Sequence, residues 1–280
     1  MLTNSLVNGK VALVTGASRG VGKGIAHELG LAGATVIITG RSTRGSRPDE
    51  DRPGTIEDTA DLVTASGGRG MAIPCDHTSN EDVKRLFARI RNEFGRLDIL
   101  VNNVWGGYEG HEGKIFSKAF WEQDLEVWEA MFQAGLRAHF TASYYAAPLM
   151  ITQQSGLIIN ISIGVAGKYL GNVMYDTCKT ADDRLAFAMA QELRSHGVTA
   201  VALYPGHTRT ERVERILTKT GQADQLTETH SPRYVGRAVV ALAQDPHLID
   251  KTGQALATGD LAAQYGFTDV DGRLIPAFRF

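Results

Sequence analysis

Cysteine is scarce in this chain. The two that occur among 280 residues, Cys75 and Cys178, lie far apart and share no C-x-x-C spacing. That pattern gives neither a disulfide framework nor a zinc site, and the expectation is a reduced, cytoplasmic setting. An excess of either charge is also missing. Lys and Arg number 29 against 31 Asp and Glu, a formal net charge of -2, which offers nucleic acid or an anionic membrane no reason to bind. No apolar run approaches the ~20 residues of a membrane span. The opening Met1-Leu2-Thr3-Asn4-Ser5-Leu6 is too short and polar for a signal peptide. No repeat or Pro-rich linker divides the chain. His77 and His111 lack metal-ligand spacing, so no metal is expected.

What the sequence does have is alternation. Short, β-branched apolar runs recur at 11–14, 35–38, 71–73, 97–101, 157–161, 199–203 and 254–257. They lack strict polar alternation, as strands buried on both faces do. Amphipathic stretches at 21–32, 56–66, 80–94, 122–150, 174–196 and 231–243 separate most of them. The order predicts one α/β domain over 1–280, a doubly wound Rossmann-type sheet of about seven parallel strands with helices on both faces. Three stretches are longer than a connection needs: 41–55, 104–121 and the helix-prone 207–229. If they follow strands two, four and six, all sit at the carboxyl edge, where open α/β sheets bind ligands.

The first strand runs into Thr15-Gly16-Ala17-Ser18-Arg19-Gly20-Val21-Gly22. A strand, a glycine turn and a helix start form a cradle for pyrophosphate, since backbone N–H groups and the helix N-terminus face the anion. Gly16 allows the tight turn; Gly20 and Gly22 allow close approach. An acidic side chain at the end of strand two holds the ribose hydroxyl in NAD sites. Here that strand ends Thr39-Gly40-Arg41, with no carboxylate. Arg41 and Arg19 suit a 2′-phosphate, which guanidinium groups bind through paired hydrogen bonds, so NADP(H) is the expected cofactor. The bland alternative makes Arg41, Arg44 and Arg47 a solvated loop.

Tyr175 and Lys179 stand four apart in a helical stretch and project from one face. A nearby ammonium favours phenolate and lowers a tyrosine pKa from ~10. Such a pair gives a proton in carbonyl reduction or takes one in alcohol oxidation. Ser162, thirteen residues upstream after the fifth apolar run, adds a hydroxyl for the same substrate oxygen.

With Asp76, Asn102-Asn103 and Pro205-Gly206 followed by Thr210, these motifs keep their order across nearly the whole chain. The chain resembles the short-chain dehydrogenase/reductase family. Segments 118–121, 135–137 and 265–272 resemble one subgroup of it that includes a mammalian enzyme. The resemblance implies a strand order of 3-2-1-4-5-6-7. It implies that Asp76 accepts from the adenine amino group, and that Asn102 stabilises the central strands and lines the cofactor site. It implies that Ser162 orients the carbonyl, Tyr175 transfers the proton, and Lys179 binds the nicotinamide ribose and lowers the tyrosine pKa. Pro205, Gly206, Thr208 and Thr210 would border the carboxamide. A homodimer or homotetramer is implied by the same likeness.

The chain also departs from that pattern. The family's relay asparagine falls at Gly135, which has no side chain. His139, four residues on, is a candidate holder of the relay water. Trp105 replaces a small residue after the Asn pair, Ile163 follows Ser162 with no second hydroxyl, and Thr208 stands where a branched apolar residue is usual. Trp105, Tyr108, Trp121, Tyr169 and Met174 are candidates for an apolar pocket wall, and Cys178 for packing. The expected activity interconverts a ketone or aldehyde with its alcohol. A 3-oxoacyl thioester reductase and a non-catalytic NADP(H)-binding sensor are the alternatives.

Overall fold

Strand β1 (Val11–Thr15) is buried at every position, as an unbroken apolar run must be when helices cover both faces of a sheet. The computed structural model describes residues 7–46, 53–108, 116–163 and 168–279. It places β1 third in a seven-stranded sheet of order β3-β2-β1-β4-β5-β6-β7. The others are β2 (Thr35–Gly40), β3 (Arg69–Pro74), β4 (Ile99–Asn102), β5 (Gly156–Ile161), β6 (Val198–Tyr204) and β7 (Ala255–Ala257). Every pairing is parallel. The expected strand number, direction and order all hold.

Alternate side chains of β1 feed two cores. Ala12 and Val14 join Ile25 and Leu29 of helix α1 (Gly20–Leu31), Ile56 of α2 (Ile56–Ala65) and Val239 of α8 (Pro232–Gln244). Val11 and Leu13 join the opposite layer, with Leu86 of α3 (Asn80–Phe94), Ala146 of α5 (Ala138–Gln153) and Leu193 of α6 (Val173–Leu193). Helices α1 and α8 cross backbone to backbone. A Cβ on Gly24 would lie 2.3 Å from the carbonyl carbon of Pro232.

The stretch 122–150 is not one helix. It divides into α4 (Leu125–Met131), a π turn (Phe132–Arg137) and α5. The turn sits where the indole of Trp105 packs against Gly135, and widened turns often mark functional positions. Stretch 207–229 carries α7 (Glu211–Lys219), and α9 (Thr258–Tyr265) follows β7. Eight residues are too few for α9 to stand out by periodicity. Among the described residues, no helix is long and apolar enough to cross a membrane.

Candidate functional site

The reversal of connection direction between β1 and β4 opens a crevice at the carboxyl edge. A cavity of about 940 Å3 lies there. Its floor begins at the glycine loop. Gly16 and Gly20 both have positive φ, 64° and 57°, which glycine adopts without a Cβ penalty. Gly22 is buried beneath the loop and does not line the cavity. A Cβ there would lie 2.5 Å from Nδ2 of Asn103 and 2.7 Å from the Gly16 oxygen. The Gly20 N–H donates to Oε2 of Glu211 at 3.0 Å. A carboxylate oxygen on a helix N-terminus is what the backbone dipoles there favour.

Ser18, Arg19 and Arg41 line the same end. Arg19 Nη2 donates to Oγ of Ser42 at 2.6 Å and to the Gly54 oxygen at 3.3 Å. Ser42 is a buried cavity residue that motif reasoning passed over; its only signal is adjacency to Arg41. Arg44 belongs elsewhere, pairing with Asp58 at 2.9 Å and Asp61 at 2.6 Å on α2. Arg47 and His111 lie outside the described residues.

Asp76 also lines the cavity, and its Oδ1 accepts from Thr78 N at 2.9 Å and Thr78 Oγ1 at 2.7 Å. Burial favours its neutral acid. The Thr78 bonds and the charge of Arg41 outweigh this and hold the carboxyl below its usual range. Burial pushes the His77 imidazole down to about 4, and its Nε2 meets Oγ1 of Thr39 at 2.8 Å. Asn102 departs from its expected place. Its amide is fully buried, donating to Oγ of Ser143 and Oδ1 of Asn160, each at 2.9 Å. It knits the central strands but does not line the cavity. Asn103 does, donating to the oxygens of Thr15 and Gly16.

At the far end, Ser162, Tyr175 and Lys179 share the cavity wall. Asn172 caps α6 by accepting from Tyr175 N at 2.8 Å, which fixes the tyrosine in the first turn and Lys179 one turn on. Ser162 Oγ donates to the Lys179 oxygen at 3.1 Å. Lys179 Nζ donates to the Ile161 oxygen at 3.1 Å and lies 4.1 Å from the centre of the Trp105 ring. The expected lowering of the tyrosine pKa is not found. Burial and the neighbouring Tyr108 raise Tyr175 well above its ordinary value, against the opposing charge of Arg212. The Lys179 ammonium is turned to the Ile161 carbonyl and the indole face instead. Its own pKa is lowered by burial.

Trp105 accounts for Gly135. A Cβ on Gly135 would lie 2.8 Å from Cζ3 of Trp105, 3.0 Å from Cε3 and 3.3 Å from the Cys178 sulfur. The indole stands where the relay side chain would begin. Its ring meets Tyr175 edge-on at 5.4 Å and Tyr108 at 5.7 Å. His139 is not a water holder. It is 1% exposed; Nδ1 faces both Asp182 oxygens at 2.9 and 3.0 Å, and Nε2 faces the Val104 oxygen at 3.0 Å. Both ring nitrogens are already taken up by protein oxygens, so neither faces a relay water. Cys178 packs under Met131, and burial pushes its thiol up to about 11.

Of the candidate pocket aromatics, Trp105 and Tyr108 line the cavity. Trp121 and Tyr169 are 75% and 61% exposed, and Met174 packs into the small core around Met131. Pro205, Gly206, Thr208 and Thr210 close the cavity on the β6 side. Thr210 caps α7, accepting from Val213 N at 3.3 Å. From α7, Arg212 extends over the face of Tyr108, 3.7 Å from its centre. Among the described residues no group of acidic, histidine or cysteine side chains is arranged to hold a metal.

Comparisons with known proteins agree with this architecture. The short chain dehydrogenase family model matches residues 10–221. Dehydrogenase/reductase SDR family member 1 of Mus musculus is 39% identical over 277 residues, covering 95% of this chain and 85% of that protein. The 3-oxoacyl (acyl-carrier-protein) reductase FabG of Aquifex aeolicus is 30% identical, covering 85% of this chain and 92% of its own. A metagenomic short-chain oxidoreductase solved in complex with NADP superposes with a TM-score of 0.69 at 26% identity, covering 90% of this chain and 96% of that one. The strand order, the glycine turn and the match over most of the length agree, and the chain belongs to the short-chain dehydrogenase/reductase family.

Proposed function

We propose that the protein is an NADP(H)-dependent oxidoreductase that interconverts a ketone or aldehyde with its alcohol, using Ser162, Tyr175 and Lys179. One observation carries this reading: a single cavity joins the glycine loop and Arg19 to those three side chains. The residues at its two ends suit the two halves of the cofactor. The Gly20 N–H already holds an anionic oxygen, that of Glu211, and a phosphate oxygen suits the same donor. Arg19, Arg41 and Ser42 offer guanidinium and hydroxyl donors to a 2′-phosphate, with no carboxylate at the end of β2 to repel it. Asp76 borders the adenine end, and Pro205, Gly206, Thr208 and Thr210 border the nicotinamide end. The bound nicotinamide supplies or accepts the hydride.

This chain's residues supply position and the proton. Ser162 turns its hydroxyl from the Lys179 carbonyl to the substrate oxygen. Tyr175, held protonated by burial and Tyr108, donates to that oxygen as negative charge develops. Lys179, with Arg212, supplies positive charge near the reacting centre. The indole of Trp105 and the ring of Tyr108 exclude water from the apolar part of the substrate.

The test is oxidation of NADPH and NADH against a panel of ketones, aldehydes and quinones, with Tyr175→Phe in parallel. Turnover with NADPH that vanishes in the variant supports the reading. Tight NADPH binding without turnover of any carbonyl overturns it in favour of a sensor. A second reading, reduction of a 3-oxoacyl thioester, is favoured by the relative of that printed activity. A pantetheine thioester in the panel separates the two. The exposed Phe140 and Tyr144 of α5 and Phe187 of α6, 52%, 63% and 39% accessible, are an apolar face suited to a second copy of the chain. Light scattering at micromolar concentration tests for a dimer or tetramer.

A further inference from the structure

Pro205, Gly206, His207 and Thr208 line the cavity after β6, and His230 stands behind them without lining it. This one residue grips the segment at three points. Its N–H donates to the His207 oxygen at 3.0 Å, its carbonyl accepts from Arg209 N at 2.8 Å, and its ring Nε2 meets the Pro205 oxygen at 2.7 Å. The ring is buried. Burial lowers its pKa, against the carbonyls of Ser231 and Pro205, and so keeps the imidazole neutral. A neutral ring has one N–H. Nδ1 faces the Ser231 oxygen at 3.0 Å, so the shorter contact assigns the proton to Nε2, which donates to Pro205. Gly206 makes room for the grip. Its φ is 86°, and a Cβ there would lie 3.3 Å from Nε2 of His230.

The two carbonyls turned back to His230 decide where their amides point. In a planar trans peptide the C=O and the following N–H are directed oppositely. The N–H groups of Gly206 and Thr208 therefore face away from His230, on the cavity side. His230 is itself braced. The N–H of its neighbour Ser231 donates to Oδ2 of the buried Asp269 at 2.7 Å. Its ring lies 5.1 Å from that of Tyr234 on α8, whose hydroxyl donates to the Ile275 oxygen at 2.8 Å.

We propose that His230 is a positioning residue of this site, holding the Pro205–Thr208 backbone so that its N–H groups meet the carboxamide of the nicotinamide. The inference rests on the NADP(H) reading above. The carboxamide oxygen is an acceptor, and donors fixed before it docks have less freedom to lose. His230 lies outside the cavity, so it acts through the loop. Its influence falls on the nicotinamide half of the cofactor and leaves the phosphates to the glycine turn.

The experiment measures binding and needs no turnover. NADPH and 2′-phospho-ADP-ribose, the cofactor without its nicotinamide, are titrated by calorimetry into wild type, His230→Asn and His230→Gln. The Asn amide is too short to reach Pro205, whereas the Gln amide extends to the place of Nε2. The expected result is NADPH weakened about tenfold in His230→Asn, with 2′-phospho-ADP-ribose unchanged and NADPH affinity restored in His230→Gln. Unchanged NADPH affinity in His230→Asn overturns the proposal. So does equal weakening of both ligands, which is the mark of a purely structural role, or a Gln variant as weak as Asn. A second measurement needs no variant: hydrogen exchange in the 205–210 segment of wild type should slow with NADPH and not with 2′-phospho-ADP-ribose. Equal slowing by the two ligands overturns the proposal. A wild type that binds neither ligand overturns the NADP(H) reading and His230's role with it, whereas the other failures strike His230 alone.

Discussion

The two ends of the cavity are built differently. At the glycine-loop end, recognition is carried mainly by backbone. Positive-φ glycines, a helix N-terminus and a few arginines line it, and their polar partners are Ser42 for Arg19 and Glu211 of α7 for the Gly20 N–H. At the Tyr175 end, geometry is set by bulk. Trp105 meets Gly135 thirty positions on and Tyr175 seventy on, and Arg212 reaches Tyr108 from another element. The first end tolerates little change in conformation. The second tolerates substitution when a partner changes with it.

The largest test of that contrast is Tyr175→Phe. Turnover should fall on the order of 10²–10⁴-fold, while NADPH binding, measured by fluorescence, stays the same. If binding fell too, the ends would not be separable.

The next effect lies beside Asp76 on the cavity wall, in the pH dependence of folding. His77 titrates near 4 in the folded chain against 6.5 unfolded, so the unfolded state takes up the proton first as pH falls. The stability its neutral form contributes is complete above pH 6.5 and declines progressively toward pH 4, by roughly 3 kcal/mol. Urea midpoints across that window should fall less in His77→Gln than in wild type. Parallel slopes would show that carboxylates alone drive the decline.

Gly135→Asn should lose about 2 kcal/mol of stability, because its Cβ meets the indole. Adding Trp105→Ala in the same chain should return part of that loss. Additive losses would mean that the two positions are not coupled. The smallest effect belongs to Arg41→Ala. This exposed side chain should weaken NADPH about tenfold and leave NADH nearly unchanged, as titration calorimetry would show. Equal weakening of both would move the 2′-phosphate contact to Arg19.

These differences also explain which parts were legible. The strands themselves and the placing of Gly16, Arg19, Ser162 and Tyr175 after them follow from local patterns, since a parallel strand and its following loop are fixed by a few adjacent residues, while the strand order follows from the family resemblance. Asn102 and Asn103 could not be told apart by motif. They are neighbours, and only the course of the chain as β4 ends decides that Asn102 is sealed between strands while Asn103 reaches the loop. Gly135 reads alone as a missing function and becomes a packing partner only when Trp105 is seen above it. The His139–Asp182 pair spans two helices, and no spacing rule connects them. Tyr175 shows the limit of reading charge from neighbours in sequence: Lys179 is one turn away, yet its ammonium is spent on Ile161.

The π turn at Phe132–Arg137 has a consequence for the length of the chain. Such a turn holds one residue more than α winding uses. Deleting one residue within it would restore regular winding and leave α4 and α5 close to their present phase, because the wide turn absorbs its extra residue within a single turn. Val127 and Met131 would stay beside Cys178, and the change would fall on the turn itself, where Gly135 meets Trp105. The segment therefore acts as a local allowance that takes up one residue opposite the indole without turning either flanking helix.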